Sequence, residues 1–409
     1  FVMQHSILKL FKGDRVLWMV LMLLSVLSLL IVYSSTGALA YRVAQGNTMK
    51  YLFRQVVFLG AGIGVILLMV NVLPIKLYSK LAWWVLLASI GFLLFSIVMR
   101  GTSFVSSSGR TLNFWGATFQ PAEMAKISLV LFSAKILGKR QKTKGDLWEA
   151  FKKIIFYTAI VCGLIFISDF STSALLFATI MTMMFCGRIP LKYLFSLVGV
   201  GIALVVTIYF TADLLPDSIG RVHTIKGRIE RFINPPPPEA SQGITQADYA
   251  KLAIYSGGIL GKGPGHSDVS NYMAAAYNDF IFAIIVEEYG LLGGIAVIML
   301  FLIFFFRGVV IVRRATRTFP AFMVIGLTLV LVFQAMINIG VSSGALPVTG
   351  QPLPWISLGG TSLLFTSLAF GLILSVSHQN QKDKEVVEQP IMIKAPDEDY
   401  EIENDAVND

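Results

Sequence analysis

Residues 16–36 read VLWMVLMLLSVLSLLIVYSST, an apolar run without a charged residue. A helix of about 20 apolar residues is long enough to cross the hydrocarbon core of a bilayer. A run of this length and composition therefore predicts a membrane-spanning helix.

The composition of the whole chain agrees with this prediction. Of the 409 residues, 55% are hydrophobic and 14% are charged, and the mean hydropathy is +0.72. A water-soluble domain of this length cannot bury so much apolar surface in its own core. The net charge of +9 would suggest nucleic acid as the partner of a soluble protein. Here the charges lie between apolar runs, so they predict topology and contact with membrane lipids, and no nucleic-acid partner is expected.

Further apolar runs bounded by charges or turn residues predict an all-α integral membrane protein, a bundle of about ten transmembrane helices. The fifth and sixth runs nearly touch at 168–171, and we separate them because one helix of their combined length would far exceed the bilayer. The predicted spans are about 16–36, 53–73, 81–99, 122–138, 152–168, 171–187, 191–211, 280–306, 320–341 and 357–377.

The loops between these runs alternate in charge, which predicts the orientation of the bundle. Lys12 and Arg15 precede the first run, Lys139 and Arg140 follow the fourth, and Arg313 follows the eighth. Loops rich in Lys and Arg stay in the cytoplasm. An even number of spans then places both termini in the cytoplasm, for a multi-pass protein of the inner membrane.

Two polar segments stand out from the membrane domain, which we place at 1–378. The long outer loop, about 212–279, carries both signs of charge, many glycines and the extended run Pro235–Pro238, and this composition favours an ordered, re-entrant element. The segment 379–409 is polar and increasingly acidic, without apolar periodicity. It is predicted to be a disordered cytoplasmic tail.

Ionisable side chains lie at the outer end of the fourth span, after Gly109-Arg110. Gln120 is followed by Glu123 and Lys126, which share a helix face at a spacing of i and i+3. An interfacial ion pair with a snorkelling lysine explains the pattern. A polar cavity explains it equally well, because charges inside a span are costly.

Three more acidic positions interrupt apolar runs. Asp169, at the turn between the fifth and sixth spans, is best interpreted as the N-cap of the sixth. Asp279, where the long loop enters the eighth span, is either an N-cap or a partly desolvated general base with a raised pKa. Glu287 and Glu288 lie about two turns deeper and need polar partners.

Two loops are rich in glycine or proline. The first, Gly257–Gly265, departs from a phosphate-binding loop because Ser256 replaces the first glycine and Gly263 follows Lys262. Nucleotide binding is therefore excluded, although the glycines permit close backbone approach and Lys262 could meet an anion. The second, 342–362, follows Gln334 and Asn338, which are one helical turn apart. It is rigid and rich in neutral hydrogen-bonding groups, which suits a sugar or a tight helical cap.

Cysteine and histidine give no sign of a metal centre. Cys162 and Cys186 lie in apolar runs and are expected to pack without a disulfide. The four histidines are scattered without the spacing of metal ligands.

Together and in this order, these motifs resemble the SEDS family (FtsW/RodA/SpoVE) over about residues 14–377. Gly263 to Ser267 look more like the FtsW branch than the RodA branch. The motifs that carry the resemblance are Phe119-Gln120-Pro121-x-Glu123, Asp169-Phe170-Ser171-Thr172, Gly257-Gly258-x-x-Gly261-Lys262-Gly263, Asp279-Phe280-Ile281-Phe282-Ala283, and Leu346-Pro347-Val348-Thr349-Gly350 through Gly359-Gly360-Thr361-Ser362.

The resemblance implies a peptidoglycan glycosyltransferase that joins lipid II units into glycan strands at the periplasmic face of the inner membrane during cell division. The family's essential aspartate falls on Asp279. A divalent cation, Mg²⁺ or Mn²⁺, is an optional cofactor, and no other cofactor is implied. The expected partners are lipid II, a class B penicillin-binding protein and other divisome proteins. The residues expected to bind substrate are Arg110, Gln120, Glu123, Lys126, Lys262, Thr349 and Ser357.

The chain departs from the family pattern at three positions. Ala275 and Tyr277 replace a glutamate and a histidine before the aspartate, and Thr111 replaces the tryptophan that usually follows the arginine. Other functions also stay open: a flippase or transporter of lipid II, an elongation polymerase of the RodA type, or a scaffold that recruits cell-wall enzymes.

Overall fold

The computed structural model describes residues 10–37, 39, 47–106, 109–114, 117–140, 144–211, 220–233, 244–270, 272–273 and 277–388. This part of the chain is almost entirely helical. Its elements are α1 Arg15–Ser35, α2 Met49–Asn71, α3 Ile75–Val98, β1 Leu112–Phe114, β2 Ala117–Phe119, α4 Pro121–Lys139, α5 Lys144–Ser168, α6 Phe170–Cys186, α7 Leu191–Thr211, α8 Gly220–Ile233, α9 Gln246–Gly257, α10 Ile281–Arg313, α11 Thr318–Ser342 and α12 Thr361–Glu388.

The predicted membrane bundle is confirmed, because a helix lies at each of the predicted runs. Eight described helices are long and apolar enough to cross a membrane: α1, α2, α3, α5, α7, α10, α11 and α12. Of the other two, α6 is shorter, with 17 residues, and α4 carries four charged side chains. Most residues of α4 are nevertheless buried, including the charged Glu123 and Lys126, so these two charges contact protein rather than lipid.

Small residues let the helices pack closely. A Cβ atom added to Gly62 of α2 would lie 2.4 Å from Ser367 Oγ of α12, and one added to Gly308 of α10 would lie 2.6 Å from Thr328 Oγ1 of α11. Such contacts replace the hydrophobic effect as a source of helix association in lipid. In contrast, Leu194 is the one buried residue along α7.

The predicted tail boundary at 379 is wrong, because α12 continues past it to Glu388. The Asn380 side chain donates to Ile311 O at 3.0 Å, and Gln381 Nε2 donates to Gly13 O at 3.2 Å. These bonds give the polar segment partners on α10 and before α1, a stabilisation that composition alone does not reveal. Residues 389–409, the rest of the predicted tail, lie outside the described residues.

Helix α10 is broken at Gly290, where φ is 70° and ψ is −174°. The glycine-rich loop makes hydrogen bonds on both sides of the break. Lys262 N donates to Glu287 O at 3.0 Å, and Leu291 N donates to Gly258 O at 2.9 Å. A Cβ atom on Gly261 would lie 2.2 Å from Glu288 O, so this approach requires glycine. The predicted close backbone approach is therefore confirmed, and its target is a helix. The Pro235–Pro238 run lies outside the described residues.

A small antiparallel hairpin was not expected from the sequence. Strand β1 pairs with β2 so that Leu112 faces Phe119 and Phe114 faces Ala117. Strands of three residues are too short for an alternating pattern to stand out. The hairpin matters because Arg110 lies before it and Gln120 after it, at the first turn of α4.

Candidate active site

A cavity of about 510 Å³ opens at the end of the bundle opposite the basic loop that follows α4. Its walls come from the first turns of α2 and α4, the hairpin, the segment before α10 and the loop between α11 and α12. The polar and aromatic side chains that line it are Tyr51, Arg54, Arg110, Thr111, Thr118, Gln120, Glu123, Tyr277, Asn278, Asp279, Gln351 and Ser362.

A cation and a carboxylate both lie close to Gly350. A Cβ atom added to this glycine would lie 3.3 Å from Arg110 Nη1 and 3.5 Å from Asp279 Oδ2. The φ angle of Gly350 is 74°, which favours glycine. A side chain at this position would therefore contact both Arg110 and Asp279.

Asp169 forms an ion pair with Arg110. Its Oδ1 accepts hydrogen bonds from Ser171 N at 3.1 Å and Thr172 N at 3.4 Å, so the predicted N-cap of α6 is confirmed. Its other oxygen, Oδ2, lies 3.6 Å from Arg110 Nε. Capping therefore accounts for only one of the two carboxylate oxygens, and the second contributes charge to the site.

Asp279 does not cap α10. The N-cap is Phe280, and no side chain caps the first turn, so the capping interpretation of Asp279 is wrong. Asp279 Oδ1 instead accepts from Asn278 Nδ2 at 3.0 Å. Burial, assisted by the charge of Asp169, raises the pKa of Asp279 to about 6, although Arg110 and Arg228 act against the rise. A carboxylate with this pKa is suited to accept a proton near neutral pH.

The predicted pair of Glu123 and Lys126 exists, but it is buried rather than interfacial. Lys126 is 2% exposed, and its Nζ lies 2.8 Å from both Glu123 Oε1 and Gln334 Oε1. Gln334 in turn donates to Pro352 O at 3.0 Å. The snorkelling interpretation is therefore wrong. Glu123 lines the cavity, while Lys126 lies behind it.

The three uncharged residues expected to bind substrate differ in placement. Gln120 lines the cavity and makes no capping bond. Thr349 Oγ1 is buried without a hydrogen-bond partner among the described atoms. Ser357 lies behind the wall, where its hydroxyl bonds Leu353 N and Asn278 O, each at 2.9 Å.

The structure places Lys262 outside the group that lines the cavity. Its Nζ lies 2.8 Å from Glu287 Oε1 and 2.9 Å from Asp268 Oδ2. Burial lowers the pKa of Lys262, but the hydrogen bonds and charges of these two carboxylates outweigh burial and raise it. The ammonium is thus occupied by protein groups, and the partners that Glu287 required are found.

Sequence reasoning missed two further cations. Arg54 lines the cavity, and a Cβ atom added to Gly360 would lie 3.2 Å from its Nη2. Arg228, on α8 of the long loop, is half-buried, and its charge interacts with those of Arg110, Asp169 and Asp279; burial and Arg110 lower its pKa. A charge at the start of an apolar run could have drawn attention to Arg54, whereas no local signal identifies Arg228.

Two of the three departures from the family pattern lie in the cavity wall. Thr111 and Tyr277 both line the cavity, so they alter its shape directly. Ala275 lies outside the described residues. The chain therefore keeps the carboxylate and arginines of the site within a changed wall.

Comparison with known proteins identifies relatives over most of the chain. The profile of the FtsW/RodA/SpoVE family, described as cell cycle protein, matches residues 14–382. A probable peptidoglycan glycosyltransferase FtsW of Pseudomonas fluorescens (strain SBW25) is 30% identical over 357 residues, covering 86% of this chain and 85% of that protein. Stage V sporulation protein E of Bacillus subtilis (strain 168) is 30% identical over 377 residues, covering 90% and 98%.

Solved structures share the fold. A chain from a peptidoglycan synthase complex that coordinates polymerization and crosslinking matches with a TM-score of 0.70, at 23% identity, over 91% of this chain and 99% of that one. The rod shape determining protein RodA of Thermus thermophilus matches with a TM-score of 0.62, also at 23% identity, over 90% and 97%.

Proposed function

Because the chain belongs to the FtsW/RodA/SpoVE family, we propose that it is a peptidoglycan glycosyltransferase that joins lipid II units into glycan strands during cell division. The observation that carries the proposal is that Arg110 and Asp279 line the same cavity and both lie close to Gly350. One group accepts a proton and the other stabilises a leaving anion, which are the two requirements of glycosyl transfer to a hydroxyl.

The proposed reaction uses Asp279 as the general base. The acceptor sugar hydroxyl gives its proton to the Asp279 carboxylate while its oxygen attacks the anomeric carbon of the donor. The bond from that carbon to the diphosphate oxygen breaks, and the lipid-linked diphosphate leaves as an anion. With a pKa of about 6, Asp279 is mostly ionised at neutral pH and ready to accept the proton.

The leaving diphosphate needs positive charge within a cavity that limits access of water. Arg110 supplies it, Arg54 adds a second cation to the cavity wall, and the charge of Arg228 interacts with those of Arg110 and Asp279. Gln120 and Glu123 contribute the polar wall for the sugars. Lys126 acts through Glu123, and Lys262 has contacts that support a role in loop structure instead of substrate binding.

A divalent cation is a separate proposal that the donor set supports poorly. The described residues contain no group of three side chains that could hold a metal. Arg110 engages Asp169, and Asn278 engages one oxygen of Asp279. In the proposed reaction, Arg110 and Arg54 of the cavity wall supply the positive charge for the diphosphate. Polymerisation that stops in chelator and returns with Mg²⁺ or Mn²⁺ would establish the requirement.

The proposed orientation places the cavity at the periplasmic face of the inner membrane and both termini in the cytoplasm. The support is the position of the basic loops at the opposite end of the bundle. A class B penicillin-binding protein is the proposed partner, since a similar chain belongs to a synthase complex. The division role, with other divisome proteins, is supported by the relatives named FtsW, whereas an elongation role is the alternative.

The test is polymer formation from lipid II by the purified protein in detergent, with and without a class B penicillin-binding protein. Wild-type protein should form glycan strands, and Asp279→Asn should lower the rate by about 10² to 10⁴-fold, because the amide cannot accept the proton. Thermal unfolding of both proteins checks that the variant is folded. Normal polymer from folded Asp279→Asn would overturn the role of the carboxylate.

One observation favours transport of lipid II as a second function. The break in α10 at Gly290 is a feature that transporters also use. Detergent separates the two functions because flipping has no meaning without a bilayer. Polymer in detergent supports the enzyme, while lipid II movement in vesicles without polymer would support the transporter.

A further inference from the structure

The main chain at Asp279 is held by neighbouring elements rather than by its own helix. Three consecutive carbonyls each accept one hydrogen bond from another part of the chain. Leu358 N donates to Tyr277 O at 3.1 Å. Ser357 Oγ donates to Asn278 O at 2.9 Å, and Asn338 Nδ2 donates to Asp279 O at 3.0 Å.

Asn338 is the centre of this arrangement. Its amide nitrogen donates both to Asp279 O and to Gln351 O, the latter at 2.8 Å. Gln351 Nε2 continues the chain of bonds to Thr172 Oγ1 at 2.7 Å, on the helix that Asp169 caps. Asn338 is 0% exposed, so these bonds are made away from solvent. One amide thus ties the segment before α10 to the loop between α11 and α12.

We propose that Asn338 is a positioning residue that aims the Asp279 carboxylate at the acceptor hydroxyl; this inference rests on the proposed function. A catalytic group must be held within about 0.5 Å of its productive position by neighbours that are themselves fixed. Among the side chains that the structure describes, the Asp279 carboxylate accepts one hydrogen bond, from the adjacent Asn278. Its position is therefore set mainly by the backbone that Asn338 holds.

The two hydrogen bonds of Asn338 also set the distance between the Asp279 carboxylate and the Arg110 guanidinium. Gly350, which lies close to both Asp279 and Arg110, directly precedes Gln351, the second acceptor of Asn338. Loss of the Asn338 amide would free both the main chain at Asp279 and the part of the cavity wall at Gly350. Substrate binding would change less, because Asn338 is not among the residues that line the cavity.

The experiment compares Asn338→Ala with wild type in the lipid II polymerisation assay, with the partner penicillin-binding protein present. We expect kcat to fall by roughly 100-fold, the order of loss caused by a misplacement of about 1 Å, while KM for lipid II stays within about twofold. Asn338→Ser keeps one donor and should recover part of the loss, giving the order wild type, Ser, Ala.

Asn71→Ala is the matched control. Asn71 Nδ2 also donates to two main-chain carbonyls, Leu67 O at 2.9 Å and Leu10 O at 3.1 Å, but at the opposite end of α2 from the cavity. Its kcat should match wild type. The proposal is overturned if the fall in activity of Asn338→Ala is no larger than the fall in its amount of folded protein. It is also overturned if the variant raises KM alone or leaves kcat unchanged.

If Asn338→Ala does not fold, Asn338→Ser tests the proposal. In that case, Asn338→Ser with wild-type kcat overturns the proposal, and reduced kcat with unchanged KM supports it. The proposed function is judged separately, by whether wild-type protein polymerises lipid II and Asp279→Asn does not.

Discussion

Two charged clusters flank the start of α10, and each combines one cation with two carboxylates. In the first, Lys262 lies 2.8 Å from Glu287 and 2.9 Å from Asp268. In the second, Arg110 lies 3.6 Å from Asp169 and, like Asp279, is close to Gly350. In the first, both carboxylates lie within 3 Å of the cation, whereas the second borders a cavity.

The difference separates structural charges from charges available to a ligand. Glu287 also accepts from Ser267 Oγ and from Asp268 N, so its hydrogen-bonding capacity is well used. In the other cluster, Arg110 Nε is buried without a hydrogen-bond partner among the described atoms. That nitrogen lies against Asp169, whereas Arg110 Nη1 lies beside Gly350 in the cavity wall, so this part of the guanidinium can contact an anion in the cavity.

Of the changes that compare the two cations, the larger effect should come from removing Arg110, the cation that borders the cavity. Arg110→Gln should lower the rate of lipid II polymerisation by about 100-fold, because the leaving diphosphate loses a preorganised positive donor. Single-turnover kinetics with purified protein measure this loss, and Arg110→Lys serves as the control that keeps the charge. A rate within twofold of wild type for Arg110→Gln would remove the arginine from the mechanism.

A smaller effect should follow from pH. Because the pKa of Asp279 is raised to about 6 and the base must be ionised, the rate should be constant above this pH and fall about tenfold per unit below it. Arg110 lowers this pKa, so the acid limb of Arg110→Gln should lie at higher pH, measured on its residual activity. A wild-type rate that stays flat down to pH 4.5 would contradict the assignment.

The smallest effect on rate should come from removing Lys262, the cation of the first cluster. Lys262→Met should leave kcat per folded molecule within about twofold of wild type, because Lys262 does not line the cavity. Its cost is stability: Glu287, which is 0% exposed, loses its ion-pair partner, and we expect a loss of roughly 2 kcal/mol. Thermal unfolding measures the loss. A large fall in kcat without a fall in stability would restore Lys262 as a substrate-binding residue.

Much of the fold was predictable because a membrane helix has a strong local signal. The runs that became α1 to α7 and α10 to α12 could be identified from apolar composition and length. The cap at Asp169 was also predictable, since it depends on neighbouring residues. The hairpin and the continuation of α12 to Glu388 were missed because short strands and long-range side-chain contacts leave no periodic pattern.

The site was only partly predictable for the same reason. Asp279, Arg110, Gln120 and Glu123 were expected together, and all line the cavity. Lys262 belonged to an equally suggestive motif, yet its partners come from residues further along the chain. Pairing between distant residues decides which charges are free, and a single sequence does not contain that information.

The absence of a side chain at Gly350 has a consequence for inhibitor design. A single methyl group at this bare backbone position would lie 3.3 Å from the anion-binding Arg110 and 3.5 Å from the proton-accepting Asp279. A small rigid scaffold with a phosphonate directed at Arg110 and a hydrogen-bond donor directed at Asp279 would match both, with its connecting carbon resting over the glycine. Resistance by substitution at Gly350 would be difficult, because a larger residue would have to adopt a positive φ and would contact both groups.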